Sequence, residues 1–182
     1  MVIPSMKPSP FRILDRVPSP DERVGPDEIL LVCPWLAGLP AEQGLWLSAL
    51  PIHDANGFVD QAADFDVPAP LRARCYFGIF ALDRLRSSEL LLESLRRKGI
   101  TRLVNLPSVS FFDGASARTL DALDFKPATE IAFLLQAKRM GFGIGLCVRA
   151  GTEIGPEDAA SFDFLMSHRG PGEPIDFVRR ET

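Results

Sequence analysis

Thr101-Arg102-Leu103-Val104-Asn105-Leu106, closed by Pro107, is the stretch on which the fold turns. Leu103 and Val104 are neighbours and project to opposite faces of a strand, yet both are apolar. A strand with one wet face would alternate instead, so this run reads as buried on both sides, as in a parallel sheet covered by helices. Pro107 removes an amide donor and stops the ladder. Four further runs read the same way: Glu28–Cys33, stopped by Pro34, then Arg74–Ala81, Phe142–Val148 and Phe162–Ser167.

The segments between these runs carry helical signals. Ser87 and Ser88 offer cap oxygens, Glu89 suits the positive helix start, and Arg96-Arg97-Lys98 suits the negative end. Leu91, Leu92 and Leu95 form an apolar stripe, and Gly99 sits where a C′ residue would. Pro127 fits a first helical position, Ile131, Leu134 and Leu135 a buried face, and Lys138, Arg139 and Gly141 a helix end. Asp54 can cap a helix through Phe58, Val59 and Ala62, and Gly155-Pro156-Glu157-Asp158 opens a short last one. Strand and helix alternate, which predicts an α/β fold of parallel β/α units with right-handed crossovers. Five such strands fit an open doubly wound sheet or part of a barrel, and periodicity alone does not choose. A complete (β/α)8 barrel usually needs about 250 residues, and this chain has 182.

The flanks differ from the body at 28–170. Residues 1–27 hold six prolines (Pro4, Pro8, Pro10, Pro18, Pro20, Pro26), which predicts a proline-rich N-terminal arm, with Phe11, Ile13 and Leu14 free to dock on the body. Residues 171–182, with Pro171 and Pro174, read as an irregular tail. Hydrophobic residues make up 46% and charged ones 24%, which excludes wholesale disorder. The formal charge of −4 argues against a broad nucleic-acid surface. No apolar run reaches 18 residues and no signal-peptide core opens the chain, so the expectation is a cytoplasmic protein with no membrane partner. Cys33, Cys75 and Cys147 are odd in number and far apart, and they read as small core residues rather than a zinc or disulfide framework. Gly141-Phe142-Gly143-Ile144-Gly145 lies inside a strand, where close backbone packing is the expected reason for glycine rather than phosphate binding. Arg72–Arg102 carries eight basic against three acidic residues, which fits solvated helix faces or attraction of a phosphorylated or carboxylate ligand.

Ligands of parallel α/β folds meet the carboxyl ends of strands, so polar residues there are the candidates. They are Asn105, Ser108, Ser110, Asp113 and Gly114 after the third run, Arg149 after the fourth, His168-Arg169-Gly170 after the fifth, and His53, Asp54 and Asn56 before a helix. Each has a structural reading as well. Asp54 suits an N-cap, Asn105 a loop amide partner, Asp113-Gly114 a turn, and Glu130 the first turn of a helix.

Five segments, in order and at matching spacings, resemble a known family. Leu50-Pro51-Ile52-His53-Asp54-Ala55-Asn56 is similar to its LPxxDAN segment. Asn105-Leu106-Pro107-Ser108-Val109 followed by Phe112-Asp113-Gly114 is similar to NFPTVGLIDG. Gly78, Ala81 and Asp83 resemble the sequence following its preceding strand, Glu130 matches a glutamate of the next helix, and Ser167-His168-Arg169-Gly170 resembles AHMG. This is the phosphoenolpyruvate hydrolase-like family, also called TIM-barrel signal-transduction proteins.

The resemblance implies a partial, about five-stranded TIM-barrel-like sheet. It also implies hydrolase or lyase chemistry of the phosphoenolpyruvate mutase-like type on a small phosphorylated or carboxylated oxoacid. Carried over, His168, Asp113 and Asp54 are the catalytic candidates, and Asn56, Asn105, Ser108, Gly114 and Arg149 are the substrate-binding ones. Asp54, Asp113 and Glu130 are the ligands for Mg²⁺, which would neutralise the substrate. The departures point the other way. The family's first β/α unit and its later barrel units have no counterpart, LEETGMGY becomes Leu120-Asp121-Ala122-Leu123-Asp124-Phe125-Lys126-Pro127, and PYVF becomes Leu146-Cys147-Val148-Arg149. An incomplete barrel exposes sheet edges, so a homo-oligomer or a partner subunit completing it is expected. The alternative to an enzyme is therefore a non-catalytic, barrel-derived binding or regulatory subunit.

Overall fold

A computed structural model of the chain describes residues 11–39, 44–50, 53–61, 65–169 and 175–179. Its strands form one sheet in the order of the sequence: β1 (Phe11–Leu14), β2 (Ile29–Val32), β3 (Cys75–Ile79), β4 (Arg102–Asn105), β5 (Gly143–Arg149), β6 (Phe164–His168) and β7 (Ile175–Arg179). The first six run parallel, and β7 returns antiparallel to β6. Every parallel neighbour is the next strand of the chain, so the strand order never reverses, as it must in a doubly wound sheet. That selects a barrel arc, and the six strands form a curled half-barrel.

The curl is measurable from side chains. Tyr76 on β3 and Phe164 on β6 are three strand positions apart, about 14 Å in a flat sheet. Their ring centroids lie 4.7 Å apart. The Tyr76 hydroxyl donates to Asp163, just before β6, at 2.8 Å, and Arg102 on β4 reaches both groups. The amino ends of the strands thus close around a polar-tipped aromatic layer. Gly145 serves this layer: a Cβ there would sit 2.1 Å from the Phe164 ring, which confirms close packing as the reason for that glycine. Gly78 is similar, since a Cβ would meet Cys33 Sγ and the Leu106 carbonyl at 2.6 Å each.

The helices are α1 (Gly44–Leu47), α2 (Ala55–Gln61), α3 (Ser88–Arg97), α4 (Gly114–Ala122), α5 (Pro127–Arg139) and α6 (Pro156–Ala159). On α3, Leu91, Leu92 and Leu95 are buried, as the stripe predicts. On α5, Glu130 is buried along with Phe133, Leu134 and Ala137. The core runs through the wholly buried β2 and β3 to Trp35, whose indole N–H donates to the Gly78 carbonyl at 2.9 Å. Cys33, Cys75 and Cys147 are free and buried, and burial pushes all three thiols up, Cys75 to about 11. They are core residues.

Three expectations need correction. The parallel strands number six rather than five, because Phe11–Leu14, inside the proline-rich stretch, pairs with β2. No proline interrupts those four residues, and β1 takes the edge position that flanking prolines permit. Arg12 fixes it through Glu22 and Glu28, and the Leu14 carbonyl accepts the Cys33 amide. The tail expected to be irregular contains β7. Finally, Asp113-Gly114 does not only turn but starts α4, a helix the pattern did not announce because it buries no residue. Residues 1–10, Pro51, Ile52, Ala62, Gly170, Pro171 and Pro174 lie outside the described residues.

Candidate functional site at the carboxyl ends of the strands

The two asparagines of the recognised segments do the work of missing peptide groups. Direct β4–β5 pairing ends at Val104↔Gly145. Beyond it, Asn105 Oδ1 accepts the Cys147 amide at 2.7 Å, and its Nδ2 donates to the Cys147 carbonyl at 2.8 Å. Asn56 does the same at the end of β3, accepting from the Phe80 amide and donating to the Phe80 carbonyl, at 2.8 and 2.9 Å. A side-chain amide carries one donor face and one acceptor face, as a peptide unit does. Asn105 thereby ties the tips of β4 and β5 together, and Asn56, on α2, ties that helix to the end of β3.

Asn105 also donates to Glu130 Oε2 at 2.9 Å. Ser108 Oγ donates to the same oxygen at 2.7 Å, and the Val109 amide donates to Oε1 at 3.0 Å. Glu130 is fully buried, and burial pushes its carboxyl up to about 7 against the pull of those three donors. The line continues outward through Ser110, whose Oγ lies 2.8 Å from Ser108 Oγ and 3.0 Å from His168 Nε2. His168 is the last residue of β6, buried and packed on Phe111 at 4.5 Å. Burial, helped by the nearby Arg149 cation, lowers it to about 4. Sequence reading placed Ser110 after the strand but gave it no role. The Ser-x-Ser spacing after β4 was the available signal.

Arg149 ends β5 and bends over this network. Its guanidinium donates to the Phe112 carbonyl at 3.1 Å and to the Ser110 carbonyl at 3.4 Å, and it lies 3.9 Å from Asp113, which is exposed. Two carbonyls and a distant carboxylate leave the cation with one third of its side chain in solvent. It lines a half-open depression of about 250 Å³ with Ser110, Phe112, Phe125 and Lys126. Lys126 pairs with Asp124 at 2.8 Å.

The remaining candidates stand elsewhere. Asp54 accepts the Gly57 amide and both nitrogens of the Arg86 fork, which hold its carboxyl below the usual range. Asp83 bonds Asn56 and Arg86 alongside. This cluster fastens α2 to the end of β3. His53 stacks on Phe58 and donates from Nε2 to the Trp35 carbonyl. Gly114 is the first residue of α4, with φ +54°, a conformation that favours glycine. Most of the basic stretch is consumed locally: Arg72 by Asp66, Arg74 by the Gly25 and Pro26 carbonyls, Arg84 over Phe125, Arg86 by Asp54 and Asp83, Arg96 over Phe142, and Arg102 by Asp163.

The three carboxylates expected to hold Mg²⁺ do not fit it. Asp54 is occupied by an arginine, and Glu130 has both oxygens taken by donors inside the core. Among the described residues no group of three or more His, Cys, Asp or Glu side chains is placed to hold a metal ion.

A curled β/α arc with a polar network at its carboxyl mouth defines the class: a barrel-type α/β domain. The sequence profile of the phosphoenolpyruvate hydrolase-like family matches residues 38–170, and the chain belongs to that family. It is 30% identical over 139 residues to an uncharacterised protein, y4oT, of Sinorhizobium fredii, covering 76% of this chain and 69% of that one. It is 26% identical over 130 residues to the ToMV resistance protein Tm-1(GCR237) and the ToMV susceptible protein tm-1(GCR26) of Solanum lycopersicum. Those matches cover 71% of this chain and 17% of the tomato proteins. Among the described residues no helix is long and apolar enough to cross a membrane.

Proposed function

We propose that the domain binds a small phosphorylated or carboxylated oxoacid in the depression beneath Arg149, and that its chemistry, where it turns the ligand over, is of the hydrolase or lyase type. The observation that carries this reading is Arg149 itself. It is a planar cation at the carboxyl tip of a central strand, held by carbonyls rather than by a close carboxylate, beside a second cation on Lys126. Such a fork suits bidentate contact with phosphate or carboxylate. Neither Mg²⁺ nor Asp54 has a role in it.

Calorimetric titration with phosphoenolpyruvate, pyruvate and phosphate tests the reading. Binding in the millimolar range or tighter is expected, and Arg149→Gln weakens it about tenfold or more, the loss of a charge-assisted contact. Lys126→Gln, at a half-exposed position where the cation is already paired with Asp124, weakens it less. No binding at millimolar ligand, or equal affinity in Arg149→Gln, removes the proposal.

A second reading has its own support. Among the described residues β1 pairs only with β2, which leaves the arc open at that side, and Asn56, Asn105 and Ser108 are committed to structural bonds. A non-catalytic binding or regulatory domain, completed by a second copy or a partner subunit, follows from that. Ligand binding without pyruvate or phosphate release, from a species heavier than one chain by light scattering, supports it. Turnover by a monomer excludes it.

A further inference from the structure

Four buried side chains join β6 to α5 in an unbroken line: His168 Nε2, Ser110 Oγ, Ser108 Oγ and Glu130 Oε2, at successive separations of 3.0, 2.8 and 2.7 Å. Their exposures run from 0 to 5%. Each serine has a single hydroxyl proton, so the direction of one bond fixes the next. With Glu130 ionised, Ser108 donates to it. Ser110 must then donate to Ser108, whose oxygen also takes the Ser110 amide at 3.1 Å. His168 must in turn donate its Nε2 proton to Ser110. The imidazole is neutral and its Nδ1 carries a bare lone pair. That atom is buried and, among the described residues, without a hydrogen-bond partner.

We propose that these four residues form a proton relay, in which a proton accepted at Nδ1 of His168 is stored on Glu130 while every hydrogen bond between them reverses. The Nε2 proton passes to Ser110 Oγ, the former Ser110 proton to Ser108 Oγ, and the former Ser108 proton to Glu130 Oε2. The network gains one proton and one positive charge, which neutralises the carboxylate and leaves the imidazole neutral in its other tautomer. Oε2 as a hydroxyl still accepts from Asn105. Running backward, the line returns the proton to the strand tips. It goes beyond ligand binding and does not depend on which ligand binds.

The surroundings favour the store over the port. Arg149 of β5 faces His168 and opposes an imidazolium, with Phe111 on the ring's other contact. Glu130 meets the Cys147 thiol of β5, Asn105 of β4, and Ser108 and Val109 of the connecting turn, none of them a cation. The values of about 7 for Glu130 and about 4 for His168 agree with that order.

The chain has only two histidines, which makes ring ¹⁵N spectroscopy of the full chain direct. The relay predicts that His168 exchanges tautomers, from Nε2–H to Nδ1–H, with the ratio reversing from about 10:1 to about 1:10 between pH 8 and pH 6. His53, donating from Nε2 to Trp35, serves as the control. Glu130→Gln removes the titrating carboxyl and abolishes the exchange. Should that variant not fold, Ser110→Ala cuts the line and abolishes it equally. One unchanging tautomer in the wild-type chain from pH 9 to 5, a doubly protonated ring near pH 6.5, or exchange that persists in a folded Glu130→Gln or Ser110→Ala chain overturns the relay.

Discussion

Asn105→Ala lowers stability by about 3–5 kcal/mol, because it strips partners from three buried groups at once, each unpaired group costing about 1–3 kcal/mol. The Cys147 amide and carbonyl lose the surrogate peptide that carries the ladder past Gly145, and Glu130 loses one of its three donors. Water cannot replace the amide, since Asn105 and Glu130 are both fully buried. For a chain of this length the loss lowers the melting temperature by roughly 10 °C or more. Urea unfolding measures it. A change below about 1 kcal/mol with an unaltered slope would show that the strand tips hold together without the asparagine.

Glu130→Gln has its largest effect on the pH dependence of stability. The folded carboxyl sits at about 7 against 4.5 in its ordinary state. The folded chain therefore binds that proton more tightly, and its contribution is fully present below pH 4.5 and lost as pH rises through 7. His168 has the opposite sign. It is lowered from 6.5 to about 4, so its contribution is present above pH 6.5 and lost as pH falls toward 4. Over pH 4.5–6.5 the two nearly cancel in the wild-type chain. In Glu130→Gln the histidine slope stands alone. The stability difference between wild type and variant thus grows in favour of the wild type by ~3 kcal/mol from pH 7 to pH 4.5. Other carboxylates, Asp54 among them, contribute equally to both chains and cancel. Denaturant titrations at several pH values supply the comparison. A pH-independent difference would mean that Glu130 is ionised throughout, or does not titrate in that range.

The architecture was legible where burial dominates. Double-sided apolar runs gave β2 to β6, and caps with apolar stripes gave α3 and α5, because both signals report the same covered faces. β1 was hidden because four residues among prolines are too few to show a period. The pairing of Arg12 with Glu22 and Glu28, which holds that strand, is a tertiary event. α4 buries no residue, so it left no stripe to read. The choice between barrel and doubly wound sheet needed the strand order, in which every parallel neighbour is the next strand of the chain, and no local pattern encodes that.

The candidate site divides along a similar line. Position along the chain placed Asn105, Ser108, Arg149 and His168 correctly at strand tips. It did not separate side chains that face a ligand from those that repair the sheet. Asn56 and Asn105 carry the polar character of a binding residue and spend it on backbone. Asp54, a carboxylate expected to hold metal, spends its charge on Arg86. Ser110 stands among the candidates after the third run without a role, because a serine after a strand is ordinary until the histidine beside it is known.

On the proposed function, the domain meets its ligand at the mouth around Arg149. Titrating phosphoenolpyruvate into the ¹⁵N-labelled chain and following backbone amide shifts tests it directly. The predicted result is saturable movement at Ser110, Phe112, Lys126, Arg149 and Thr152, with Tyr76 and Asp163 at the opposite end of the arc unmoved. Movement confined to that opposite end, or none at millimolar ligand, would contradict it.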